Sequence, residues 1–123
     1  MSFYTAINCM DGRVQLPVIR YLQQRFNVSY VDMITDPGPN LILAQQADKE
    51  AVQSILNRID ISVNKHKSNG IAVVGHYDCA GNPAEFNDQK LHLEKAAAFI
   101  KSHFPEVELI TLWVDESWQV KEV

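Results

Sequence analysis

Cys9 and Cys79 are the two cysteines of this 123-residue chain, and each lies in a short motif of reactive side chains. Cys9 opens Cys9-Met10-Asp11-Gly12-Arg13, and Cys79 closes Gly75-His76-Tyr77-Asp78-Cys79. Thiolate and imidazole are ligands that zinc prefers, and three of them leave a fourth tetrahedral position for water, the pattern of a catalytic site. Cys9, His76 and Cys79 are therefore candidate zinc ligands. His76 and Cys79 are near enough in sequence for one loop to aim both at a single ion, whereas Cys9 has to be brought in by the fold. Free cysteine often serves only as a small buried apolar residue. Asp11 and Arg13 weigh against that plainer reading, because a carboxylate and a guanidinium beside a cysteine have no packing reason to be there and form a natural bidentate pair.

At such a site the nucleophile is a zinc-bound hydroxide. Asp11 can orient it by accepting its hydrogen bond, with Arg13 holding the carboxylate ionised and aimed. If Arg13 let go, Asp11 could turn to the metal and fill the fourth position. Two states follow, one open with water and one closed by carboxylate. Two thiolates offset the formal charge of zinc, so its water should be acidified less than beside three neutral imidazoles, and activity should favour alkaline pH.

Bringing the two motifs together requires neighbouring parallel strands. Apolar runs at Phe3 to Ile7 and Ile71 to Val74 precede the motifs, as strands over residues 3–8 and 71–75, so pairing side by side would deliver both to one edge of a sheet. Residues 14–26 carry a helical stripe of Val14, Leu16, Val18, Ile19, Leu22 and Phe26, with Pro17 in the first turn. Residues 28–34 are a β-branched strand, ended by Asp36-Pro37-Gly38-Pro39-Asn40, a segment expected to fit no regular element. From Ala47 to about Lys67, Val52, Ile55, Leu56, Ile59 and Val63 mark one long amphipathic helix, closed by Asn69-Gly70. A helix over 88–104 and a strand over 107–114 follow, and residues 118–123 can return as a short fifth edge strand. This βαβαβαβ order, with right-handed crossovers, implies an α/β fold: one domain over residues 1–123, with a mostly parallel four-stranded sheet and helices on both faces.

A hydrophobic content of 46% suits a packed core, and a net charge of -4 without any basic block argues against a nucleic-acid partner. The first residues do not read as a secretory signal, and no stretch approaches a membrane span. The expected location is the cytoplasm, where paired cysteines are more often metal-binding or catalytic than disulfide-bonded. A redox or cysteine-nucleophile role has little support, because the cysteines form no Cys-x-x-Cys pair and no separate histidine is marked as a base.

Taken together, Cys-x-Asp-x-Arg after the first strand and Gly-His-x-x-Cys after the third resemble the β-class carbonic anhydrases. The similarity in element order covers nearly the whole chain, including a final hairpin around Trp113-Val114-Asp115-Glu116-Ser117-Trp118-Gln119-Val120. The resemblance implies a β-carbonic-anhydrase-like fold, Zn2+ held by Cys9, His76 and Cys79, and an Asp11–Arg13 catalytic dyad. The implied reaction is reversible hydration of carbon dioxide to bicarbonate and a proton, in a homodimer or higher homo-oligomer. The chain departs from the family pattern in three places. The first strand begins at about residue 3, without the usual helical arm. The run Thr35 to Asn40 keeps only Gly38 and Asn40 of an Arg-Asn-Ala-Gly-Asn-like segment, so amide hydrogen bonds to the site are expected to be lost at its two prolines. Ala80 follows the second cysteine where glycine is common, with Gly81 next. Two other functions fit the same residues: hydrolysis of carbon disulfide or carbonyl sulfide, and a zinc-binding module that is non-catalytic or regulatory. Asp78 reads as a solvated loop carboxylate, and His66, His92 and His103 as exposed helix residues. Trp113 and Trp118 suit core packing, hairpin contact or a dimer face equally well.

Overall fold

The first strand, β1 (Phe3–Cys9), is buried along nearly its whole length, as a strand covered on both faces must be. Its alternating side chains define two cores. Tyr4 and Ala6 join Val18 and Leu22 of helix α1 (Gln15–Phe26) on one face. Ile7 joins Ile34, Ile55, Val73, Leu93 and Ile100 on the other. The computed structural model describes residues 1–123. After α1 come β2 (Tyr30–Asp36), α2 (Pro39–Gln45), α3 (Lys49–Asp60), β3 (Gly70–His76), α4 (Phe86–His103), β4 (Glu108–Val114) and β5 (Val120–Glu122).

The five strands form one sheet in the order β2-β1-β3-β4-β5, parallel except for the antiparallel β5. The expected α/β architecture is therefore present, with α1 on one face and α2, α3 and α4 against the other. From β1 the chain first steps outward to β2 and later crosses back to place β3 on the other side. The boundary between β1 and β3 is thus a topological switch point, where open α/β sheets form their crevice at the carboxyl ends of the strands. Ile7 lies opposite Val73 in that pair, so both strands reach their carboxyl ends together.

Four local expectations are corrected. The segment with two prolines is partly helical: Gly38 adopts a left-handed φ of 57° and Pro39 starts α2, where its missing N–H leaves no hydrogen bond unmade. The single helix from Ala47 to Lys67 is instead α3, capped by Asp48 accepting from the Ala51 amide at 3.1 Å, followed by a π-helical turn at Ile61–Lys65. Gly70 does not close that helix. It opens β3, and a Cβ there would stand 2.6 Å from the Tyr4 ring. The fifth strand is shorter than the expected span of residues 118–123.

Candidate metal centre

The ends of β1 and β3 and the loop after β3 place Cys9, His76 and Cys79 together. Their ligand atoms all lie within 4.8 Å of one another, and the two sulfurs are 3.8 Å apart. All three side chains are buried. His76 Nδ1 donates to the Tyr77 carbonyl at 2.7 Å, which fixes the tautomer and leaves Nε2 free to act as a ligand. That Nε2 is buried and has no hydrogen-bond partner. A buried polar atom without a partner is costly, and a metal ion bound to two thiolates would satisfy this one.

Backbone amides also favour thiolate here. The Gly38 N–H faces Cys9, and the Gly81 and Asn82 N–H groups face Cys79, each lowering the pKa of its sulfur. Between two prolines that lack an N–H, the Gly38 amide still serves as a donor toward Cys9. The hydrogen bond from Cys79 lowers the Cys9 pKa, while the same bond and burial push Cys79 upward. Burial opposes protonation of His76, but the neighbouring Cys9 sulfur and the Tyr77 carbonyl outweigh it and raise the histidine's pKa.

Asp11 and Arg13 meet as the bidentate pair their spacing suggests. Arg13 Nη2 donates to Asp11 Oδ2 at 2.7 Å, Nε lies 3.1 and 3.2 Å from the two carboxylate oxygens, and the Arg13 amide donates to Oδ1 at 2.9 Å. The guanidinium holds the Asp11 carboxyl down at about 2. Gln15 braces the same turn, donating to the Cys9 carbonyl at 2.6 Å and the Asp11 carbonyl at 3.1 Å.

A family model described as "Putative carbonic anhydrase" matches residues 1–123. The chain belongs to this carbonic anhydrase family. It is similar in structure to the β-carbonic anhydrase CafA of Aspergillus fumigatus, at 13% identity and a TM-score of 0.53, covering 98% of this chain and 74% of that one. It is also similar to a structure from work on two tetrameric β-carbonic anhydrases of Sordaria macrospora, at 13% identity and a TM-score of 0.51, covering 98% and 79%. At that identity the likeness is one of fold. No curated protein matches the chain in sequence.

In this carbonic anhydrase family member, a buried amide network that the sequence reading missed supports the site. Gln89 is fully buried. The two hydrogens of its Nε2 are shared among the carbonyls of His76, Asn82 and Ala84 at 2.9, 3.2 and 3.0 Å, and its Oε1 accepts from Asn40 Nδ2 at 3.1 Å. Asn40 in turn accepts from Asn82 at 3.3 Å. Asn40 was singled out only as an echo of a family segment; Gln89 carries no motif, and its one signal is a polar residue on the buried side of α4. Gly38 and Gly81 let the two loops touch, since a Cβ on Gly81 would stand 2.4 Å from the Pro37 carbonyl carbon.

Other candidates fall differently. Asp78 is solvated, as expected, yet it also pairs with Arg13 at 3.3 Å. His66 and His103 are exposed, whereas His92 is half-buried and bonded to Asn82 at 3.0 Å, contrary to expectation. Trp113 is buried beside Phe86, and Trp118 lies under the Arg13 guanidinium. No helix is long and apolar enough to cross a membrane.

Proposed function

We propose that this chain is a zinc-dependent carbonic anhydrase that interconverts carbon dioxide and water with bicarbonate and a proton, acting in the cytoplasm as a homodimer or larger homo-oligomer. The observation that carries the proposal is the buried His76 Nε2, unpartnered and grouped with two cysteine sulfurs beside the Asp11–Arg13 pair. Cys9 Sγ, His76 Nε2 and Cys79 Sγ would hold the ion. Zinc so bound supplies Lewis-acid activation of water.

The remaining work falls to the chain's own residues. Asp11, ionised at every ordinary pH, accepts a hydrogen bond from the attacking water and so directs its lone pair toward the carbon of carbon dioxide. Arg13 occupies part of both carboxylate oxygens and so competes with an ion for Asp11. Gln89 anchors the His76 carbonyl and thereby the end of β3. In the hydration direction the carbon gains one oxygen from water and one proton is released.

Deep burial of all three ligand side chains, each no more than 4% exposed, favours a second reading, a metal-holding module without turnover. Metal analysis of freshly purified protein, paired with stopped-flow carbon dioxide hydration on the same sample, separates the two. About one zinc per chain with rapid hydration supports the enzyme, and zinc without hydration supports the module. Turnover of carbonyl sulfide or carbon disulfide in place of carbon dioxide would reassign the substrate.

A further inference from the structure

Arg13 is held by more than its own motif. The edge of its guanidinium that Asp11 leaves free meets Asp78: Nη1 is 3.3 Å from Oδ2, and Nη2 donates to the Asp78 carbonyl at 3.1 Å. Its face lies on Trp118, with the guanidinium carbon 4.5 Å from the ring centroid. Asp78 comes from the loop after β3 and Trp118 from the turn between β4 and β5, so three separate loops converge on one side chain.

Both outside partners sit on left-handed backbone, Asp78 at φ 57° and Trp118 at φ 59°. Aspartate visits that region with some ease, but a bulky residue there is a genuine outlier. Strain of this kind persists only where the surroundings over-determine it, and it concentrates at functional sites. The β4–β5 turn supplies those surroundings. The Trp118 amide donates to the Asp115 carbonyl at 2.9 Å, and Asp115 Oδ1 accepts from the Ser117 and Gln119 amides at 2.9 and 3.0 Å. An exposed ion pair alone would mean little. A guanidinium gripped on both edges and one face, by groups on strained backbone, is a built arrangement.

We infer that Asp78 and Trp118 are positioning residues that clamp Arg13, so that the β4–β5 turn governs whether Asp11 stays on Arg13 or swings toward Cys9, His76 and Cys79. The effect on the metal rests on the function proposed above; the clamp itself does not.

The test uses the protein as purified, labelled with nitrogen-15, and follows the Arg13 Nε–H signal in wild type, Trp118→Gly, Trp118→Phe and Asp78→Asn. Glycine suits the left-handed backbone and removes the ring, phenylalanine restores a ring, and asparagine keeps a residue tolerant of that backbone while removing the charge. Exchange of the Arg13 Nε–H with water should quicken about threefold in Trp118→Gly and Asp78→Asn and return toward wild type in Trp118→Phe. Unchanged exchange in both would overturn the clamp, and should Trp118→Gly lose the sheet, Asp78→Asn decides alone. Cobalt(II) titration supplies the second readout. The visible spectrum should depend on pH in wild type and lose that dependence in Trp118→Gly as Asp11 takes the fourth position. Identical spectra alongside faster exchange would overturn control of Asp11. Failure of the wild type to take cobalt would sink the metal-centre reading and leave the exchange test standing.

Discussion

The candidate metal centre and a second polar cluster, on the α3 side of the sheet, contain similar residue types but differ in what they leave unmet. In the second cluster Asp32 Oδ2 accepts from Ser62 Oγ at 2.7 Å and pairs with His66 Nδ1 at 2.6 Å. Ser62 Oγ lies 2.6 Å from Thr5 Oγ1, which donates to Ser68 Oγ, which donates to the Gly70 carbonyl. Serine, histidine and aspartate are all present. Yet Ser62 and His66 converge on one carboxylate oxygen, so the aspartate stands where a catalytic triad would need the imidazole. Each of these oxygens has a partner, whereas the centre at Cys9, His76 and Cys79 keeps a buried nitrogen without one. A buried nitrogen without a partner, matched among buried side-chain atoms only by the Tyr4 hydroxyl, sets the candidate site apart from this structural knot better than residue type does.

The sharpest break in this comparison is Cys79→Ser, which should reduce bound zinc from about one per chain to a trace, while Ser62→Ala leaves it intact. Metal analysis of both proteins reads the difference. Asp11→Asn should retain zinc and lose roughly 10²- to 10⁴-fold in hydration rate; undiminished turnover would remove Asp11 from the mechanism. Gly81→Ala, which drives a Cβ into the Pro37–Gly38 backbone, should cost about 1–3 kcal/mol in denaturant unfolding. Gly12→Ala, with nothing within 4 Å, should cost far less.

A smaller effect concerns pH. Arg13 depresses the Asp11 pKa from 3.8 to about 2, so the pair's stabilisation is complete above 3.8 and is lost as pH falls through about 2. In Arg13→Ala a carbon-13 titration should find Asp11 back near the ordinary value, and a titration still near 2 would show that something else holds it. Least of all, His66→Ala should lower stability by under about 1 kcal/mol and leave zinc and turnover alone, because its pair with Asp32 is partly exposed.

How much of this could be read beforehand depended on whether the deciding contacts were local. The grouping of Cys9, His76 and Cys79 was legible because ligand chemistry restricts residue type, and the apolar runs before them indicated strands ending together. The Asp11–Arg13 pair was legible because both partners share one turn. The link from Asp78 to Arg13 spans 65 positions, and no local pattern announces it. Helix α2 was hidden because Pro37 and Pro39 read as breakers, although one of them sits where proline is harmless. The π-helical turn after α3 escaped because apolar spacing runs through Asp60 without a visible break. Gln89 looked like any polar helix residue until the fold turned it inward.

The adjacency of β1 and β3 has a consequence for how the molecule is assembled. Cys9 and Cys79 are 70 residues apart, and the chain completes α1, β2, α2, α3 and β3 between them. Loop closure over that distance is entropically expensive and slow compared with local structure. On the function proposed above, an unfolded chain would offer an ion only the isolated His76–Cys79 pair, and tight capture would wait until the third strand docks against the first. Ion uptake would then serve as a clock for the last long-range step of folding, and an ion present in solution would pull the equilibrium toward the finished sheet.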